Sequence, residues 1–296
     1  MKPDTVGLPE HRQGRAGLGI LLACTAFALF AVGDAMAKYL SRDYAVLQLL
    51  FLGSVFAFIP IVLFVWRTDG PASMRPNRSL LCLIRGALTA VSVLMIVWSF
   101  TKLPLADGYT LAFTAPLIVA ALSGRLLGEP VFARQWGLIF VGFFGVLIML
   151  QPGFSVLNIG HAAALGSAVI FAFSLIILRR LGDSEMPGAL LMTYLFATLI
   201  LYGPFVGFVW ITPESWIEWA LIVGIGAASG FGQIALVLAF RAAPAAIVAP
   251  SQYTQLLWGI IFGAVLFDEL PKATMLFGAA FVIGSGWMMH RETVSS

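Results

Sequence analysis

FTKLPLADGYTLAFTAPLIVAALSGRLLGEP, residues 100–130, and FRAAPAAIVAPSQYTQLLWGIIFGAVLFDELP, residues 240–271, read as versions of one pattern. Phe100, Pro104 and Glu129 return as Phe240, Pro244 and Glu269, each 140 residues later (240−100, 244−104, 269−129). After a slip of one residue Pro130 matches Pro271, Gly137 matches Gly278 and Gly145 matches Gly286. Upstream, Gly86 pairs with Gly226 and Gly19 with Gly160. Each copy holds five hydrophobic spans. An odd number turns the second copy upside down in a bilayer, and inverted halves around a midplane site are the signature of a secondary transporter.

Composition narrows the class in the same direction. Hydrophobic residues make up 60% of the chain and charged ones 10%, with a mean hydropathy of +0.97. A soluble domain is nearer half apolar and about a quarter charged. The chain therefore reads as an all-α polytopic membrane protein. Cys24 and Cys82 both lie in apolar stretches, which argues against a disulfide framework. The isoelectric point near 9.0 comes from arginines in loops and not from a basic face, so no nucleic-acid partner is expected.

Crossing about 30 Å of hydrocarbon takes roughly 20 apolar residues. Ten spans meet this: Gly17 to Lys38, Ala45 to Trp66, Ser79 to Phe100, Leu105 to Leu127, Phe132 to Leu150, Gly160 to Arg180, Gly188 to Trp210, Trp216 to Ala239, Ala245 to Phe267 and Ala273 to His290. Turn chemistry separates them, as in Thr68-Asp69-Gly70-Pro71, Gly128-Glu129-Pro130, Gln151-Pro152-Gly153, Thr212-Pro213-Glu214 and Glu269-Leu270-Pro271. The expected organisation is ten transmembrane helices as two inverted five-helix repeats, residues 17–152 and 160–290, between tails at 1–16 and 291–296. Residues before Arg15 are expected to be mobile, and the first span to be retained and not cleaved as a signal.

Alternate loops differ in basic charge. The side of the N-terminus carries Lys2, Arg12, Arg15, Arg67, Arg75, Arg78, Arg85, Arg125, Arg134, Arg179, Arg180, Arg241 and Arg291; the other side has Lys38, Arg42, Lys102 and Lys272. Thirteen against four places both termini in the cytoplasm. Trp66, Trp98, Trp136, Trp210, Trp216, Trp219 and Trp287 fall near span ends, where amphipathic rings favour the interface. Gly124/Gly128, Gly226/Gly230 and Gly259/Gly263 are GxxxG pairs that permit close helix packing.

Polar groups inside the spans are the site candidates, since an unpaired charge near the bilayer centre costs about 3 kcal/mol. Asp34 is the acid well inside a span, and Lys38 follows at i+4 in the favourable order for a helical ion pair. The pair reads either as a gate or proton-coupling group, or as an ion pair reaching the outer headgroups. Arg85 either snorkels to the cytoplasmic surface or attracts a substrate carboxylate at the inner mouth. Glu129 and Glu269 sit at helix ends beside proline, where capping explains them best. In the fourth span Tyr109, Thr110, Phe113 and Thr114 place aromatics and hydroxyls on adjoining faces, followed by Pro116, which frees a backbone carbonyl. The ninth span adds Pro250, Ser251, Gln252, Tyr253, Thr254, Gln255 and Trp258, and the eighth adds Ser229 and Gln233. The first and sixth supply Phe30, Phe171 and Ser174 at comparable depth. Singly, such residues are packing glue between helices. As a cluster, Tyr109, Thr110, Thr114, Ser229, Gln233, Ser251, Tyr253, Gln255 and Trp258 are the substrate-binding candidates, because neutral amides, hydroxyls and aromatic faces hold a small zwitterion or planar solute without burying a fixed charge. Asp34, Lys38, Arg85, Pro116 and Pro250 are the gating or coupling candidates.

The whole pattern resembles the EamA-type branch of the drug/metabolite transporter superfamily. The resemblance covers essentially the entire chain and is carried by Pro104 and Pro244, by Gly128-Glu129-Pro130 and Phe267-Asp268-Glu269, and by the glycine-spaced fifth and tenth spans. It implies export of amino acids and related metabolites across the inner (plasma) membrane by alternating access. The cavity it implies lies between the third, fourth, eighth and ninth helices, with contributions from the first and sixth. Where relatives often carry an arginine in the second span this chain has Gly53, so any role of that charge is missing. Neutral or aromatic amino acids fit the aromatic lining; nucleosides, flavins, adenosyl-containing metabolites and hydrophobic drugs stay open as alternatives. A phosphate-cradling GxxxxGK[ST] loop is missing, as are HExxH and GxSxG, and His11, His161 and His290 lie in the tail or at span ends. An ATP-driven pump and an enzyme are therefore disfavoured, and no cofactor or metal is expected. A channel would need a continuous polar stripe or charged ring, whereas this cluster is local to the midplane.

Overall fold

The structure is a computed structural model describing residues 10–68, 70–126, 133–150, 157–181, 184–242 and 249–295. Its helices are α1 (Glu10–Leu40), α2 (Val46–Thr68), α3 (Ser79–Ser99), α4 (Leu105–Ala112), α5 (Thr114–Leu126), α6 (Ala133–Leu150), α7 (Ile159–Leu181), α8 (Pro187–Val206), α9 (Trp216–Ala242), α10 (Thr254–Phe267) and α11 (Ala273–Ser295). Short 3-10 turns lie at Pro71–Met74 and Ala249–Tyr253. By length and composition α1, α2, α3, α7, α8 and α9 suffice to cross a membrane; shorter apolar stretches Leu105–Val119, Ala133–Met149, Ser251–Phe267 and Ala273–Ser285 bring the set to ten. The outer surface agrees: Ile59, Phe140, Ile200, Val265 and Phe277 present bare side chains that water would penalise and lipid does not.

The first helix begins at Glu10, seven residues ahead of the expected span start at Gly17. Two sequence expectations are corrected. The fourth span is not one helix but α4 and α5, broken at Phe113. The ninth enters the described residues as a 3-10 turn before α10 begins. Glu129, Pro130, Pro152, Pro244 and Gly128 lie outside the described residues.

Glycine sets the closest helix crossings. A Cβ on Gly226 of α9 would stand 2.7 Å from the Gly53 carbonyl oxygen of α2, and one on Gly86 of α3 would stand 2.8 Å from the Thr193 carbonyl oxygen of α8. These are the same contact displaced by the sequence spacing, since 53+140 is 193 and 86+140 is 226. At α6 and α11, Gly145 and Gly278 face each other, and a Cβ on either would come within 2.7 Å of the other's carbonyl oxygen. The second-span Gly53 is thus occupied by helix packing, which explains why no long cation stands there.

Polar staples join distant segments at both ends of the bundle. On the face of the chain's ends, buried Glu185, between α7 and α8, accepts from the backbone N–H groups of Asn77 (2.9 Å) and Arg78 (2.6 Å). These precede α3, so the carboxylate sits at its positive N-terminal end. On the opposite face Gln48 of α2 donates to the Ile211 carbonyl (2.6 Å) and accepts from the Ile211 N–H (2.9 Å). Within the core, Tyr202 donates to the Ala90 carbonyl at 2.6 Å, and the Ser92 and Ser167 hydroxyls meet at 3.0 Å between α3 and α7.

Candidate functional site

The fourth span breaks at Phe113, and in the ninth α10 starts from a 3-10 turn that ends at Tyr253, a position related to Phe113 by the repeat spacing. Pro116 has no N–H to offer the Ala112 carbonyl, and the helix turns at Phe113. The Thr114 hydroxyl donates to the Leu111 carbonyl at 2.8 Å. In the ninth span the Thr254 hydroxyl donates to the Ser251 carbonyl at 2.6 Å. Donor and acceptor both move by 140 (114 to 254, 111 to 251), so the same local bond recurs at each break. Between the breaks the rings of Phe113 and Tyr253, again 140 apart, meet edge to face with centroids 5.3 Å apart at 87°. Phe113 lies eight residues into the fourth span, a depth of about 12 Å at helical rise.

One level towards the face opposite the chain's ends, the Tyr109 hydroxyl donates to Asp34 Oδ2 at 2.7 Å. Tyr109 is held edge-on to Phe100 (5.1 Å) and fills the space over Gly259 of α10, where a Cβ would come 2.6 Å from its ring. Asp34 is half-buried, with one carboxylate oxygen engaged among the described residues.

Further out stands Lys38. Its Nζ donates to Glu269 Oε1 (2.6 Å) and Oε2 (2.7 Å) and to the Leu103 carbonyl (3.0 Å), and lies 4.9 Å from the centre of the Phe267 ring. The expected i, i+4 pair of Asp34 with Lys38 does not form: Lys38 is paired across 231 residues, and Asp34 has Tyr109 instead. Glu269 is likewise more than a helix-end cap. Asp268 takes the left-handed conformation (φ 57°) at the end of α10, which asparagine and aspartate tolerate best among residues with a Cβ. The Glu269 N–H then closes onto the Gly263 carbonyl at 2.9 Å, which turns the carboxylate back towards α1.

The remaining candidates are dispersed. Thr110 is fully buried; its hydroxyl donates to the Ala106 carbonyl (2.9 Å), and Met275 Sδ of α11 lies 3.6 Å from the same oxygen. Thr114 is buried at the break. Ser229 and Gln233 on α9 and Gln255 on α10 are half-buried. Ser251 is buried within the 3-10 turn, whose backbone also includes Pro250. Trp258 stacks on Phe262, 5.8 Å between centroids at 24°. Ser174 bonds the Thr89 hydroxyl at 2.7 Å, as interhelical glue does. Arg85 is half-buried, and its Nε is buried without a partner among the described residues. Asp107 Oδ1 shares that condition and was missed in the sequence, because residue 107 falls at a span end where an acid reads as interfacial. Among the described residues no group of three His, Cys, Asp or Glu side chains could hold a metal.

The sequence profile of the EamA-like transporter family matches residues 17–151 and again 158–290. The chain belongs to that family. Curated relatives span nearly the same length. The pseudopaline exporter of Pseudomonas aeruginosa (strain UCBPP-PA14) is 27% identical over 266 residues, covering 90% of this chain and 93% of the relative. The riboflavin transporter of Vibrio cholerae serotype O1 is 25% identical over 272 residues, 90% of each chain. The S-adenosylmethionine uptake transporter of Rickettsia prowazekii is 26% identical over 253 residues, 86% of this chain and 85% of the relative. A solved crystal structure shares the fold at a TM-score of 0.64 and 18% identity, over 93% of this chain and 98% of its own. The relatives are small-molecule transporters, and this chain is a multi-pass member of their family.

Proposed function

We propose that this protein is a secondary transporter that exports small metabolites, neutral or aromatic amino acids first among them, by alternating access. Two inverted five-helix halves rock about the contact between the fourth and ninth spans, with both termini cytoplasmic in the inner membrane. The observation that carries the reading is the paired interruption at Phe113 and Tyr253. The break in the fourth span, the 3-10 entry of α10 and the aromatic contact between them support it, since transporters bind solutes between repeats at such irregular backbone. In this reading a small solute entering there meets Tyr253, with Gln255 and Gln233 as further polar partners, and Asp34 and Tyr109 stand between that level and the outer face. Relatives named for pseudopaline, riboflavin and S-adenosylmethionine support a metabolite carrier, and their names include both export and uptake. A larger planar or adenosyl-bearing cargo is therefore the second reading.

Uptake by purified protein in proteoliposomes tests both. Labelled threonine, methionine and phenylalanine are offered, with unlabelled amino acids, riboflavin, S-adenosylmethionine and nucleosides as competitors and Gln255→Ala as the control. Saturable uptake, competed by amino acids and weakened by Gln255→Ala, is the expected result. Transport of riboflavin or an adenosyl compound alone would keep the carrier and replace the substrate.

A further inference from the structure

A cavity of about 800 Å3 opens on the face opposite the chain's ends, between the α1–α2 connection, the last turn of α3 and the end of α10. Its charged lining is Lys38, Arg42, Lys102 and Glu269, three cations against one carboxylate. Lys38 and Glu269 satisfy each other, and Lys38 uses its third donor on the Leu103 carbonyl. Neither Arg42 nor Lys102 has a salt bridge among the described residues. The Arg42 guanidinium lies over Tyr39 (5.6 Å) and Phe267 (5.9 Å), contacts that fold it against the wall of the cavity instead of letting it extend. Trp98 at the end of α3 and Phe267 at the end of α10 add aromatic surface to the lining. A concave site with surplus positive charge and partial shielding from water concentrates anions, and a guanidinium presents the fork that a carboxylate matches.

We propose that this vestibule binds solutes bearing a carboxylate on an apolar body, with Arg42 and Lys102 taking the anion and Trp98 and Phe267 the body. The bound carboxylate then competes with Glu269 for Lys38. Because the Lys38–Glu269 pair ties the end of α1 to the end of α10, the competition loosens that tie from the outside. A surface patch of this charge also attracts lipid phosphate, but the aromatic wall and the folded Arg42 favour a small amphipathic acid. The vestibule's role as a transport port rests on the carrier reading above; the binding does not.

The test is equilibrium binding of tritiated 3-phenylpropionate to the full-length protein in phosphatidylcholine nanodiscs. Unlabelled 3-phenylpropionate and 3-phenylpropanamide compete. The acid is expected to bind about tenfold tighter than the amide, and Arg42→Gln to weaken the acid about tenfold, with Arg42→Lys recovering part of the loss. Arg42 is exposed, so its variants should fold normally. Glu269→Gln removes the competitor and is expected to tighten acid binding, an effect absent in Lys38→Met. Equal affinity for acid and amide, or an unchanged affinity in Arg42→Gln, would overturn the proposal. So would displacement of the acid by adding phosphatidylglycerol to the discs, which would mark the site as a lipid contact. Carboxylate-selective binding by protein that transports nothing in proteoliposomes would uphold the vestibule and remove the carrier reading. Transport without that selectivity would do the reverse.

Discussion

Lys38 illustrates how far one side chain's role depends on its partner. An ammonium has three hydrogens, and here all three are committed. Lys38→Met leaves the Glu269 carboxylate without its counter-ion. The expected loss is about 3 kcal/mol, at the low end for breaking a buried pair because the Glu269 side chain is still 25% exposed. Lys38→Met with Glu269→Leu should recover most of it, since no charge is then left stranded. Thermal unfolding of the detergent-purified variants checks both; a double variant no more stable than the single would show that the residues act separately. Asp34 carries the complementary lesson: its nearest helical cation was a plausible partner by spacing, yet Tyr109, 75 residues away, holds it.

At the scale of elements, the informative feature is the interrupted fourth span. Proline in a helix interior costs about 3 kcal/mol relative to alanine, by removing a donor and crowding the preceding turn. Pro116→Ala restores an N–H for the Ala112 carbonyl and allows α4 and α5 to join. The expected outcome is a higher melting temperature together with transport slowed several-fold, because a continuous helix resists the bend that alternating access demands. Stability and proteoliposome flux measured on the same preparation decide it. Unchanged flux in a stabilised variant would mean that the break is a static kink. Pro116 was legible in the sequence as a residue that frees a carbonyl; that the span divides into two helices at Phe113, and that Tyr253 meets Phe113 there, was not.

For the whole molecule, the prediction concerns orientation. Ten passes would return the C-terminus to the face of the N-terminus, and the charge bias of the loops predicts that this face is cytoplasmic. With Cys24 and Cys82 replaced by serine, a single cysteine at position 42 should react with a membrane-impermeant maleimide in intact cells, and one at position 78 only after the cells are opened. The opposite pattern would invert the topology and turn the vestibule towards the cytoplasm. The same scale shows why periodicity was a strong guide to architecture. Gly53 with Gly226 and Gly86 with Thr193 are one crossing repeated, so a spacing read along the chain reappears as packing in space.

The ten spans, their helical state and the family were determined by the sequence alone. These follow from local properties: twenty-odd apolar residues form a helix in lipid because only that satisfies their own backbone. Proline alone does not decide a break, since Pro60 lies inside α2 and Pro204 inside α8 without ending either helix, whereas the chain turns at Phe113 ahead of Pro116. The partners of the charges were decided only by tertiary structure. Lys38 could pair with Asp34 by spacing, but the left-handed turn at Asp268 delivers Glu269 to it, and Gly259 makes room for Tyr109 to reach Asp34. The vestibule's charge belongs to the same category, because Arg42, Lys102 and Phe267 face one cavity only after α1, α3 and α10 have packed. Helix formation is a matter of neighbours along the chain; electrostatic pairing in a low-dielectric core depends on which distant side chain arrives within about 3 Å.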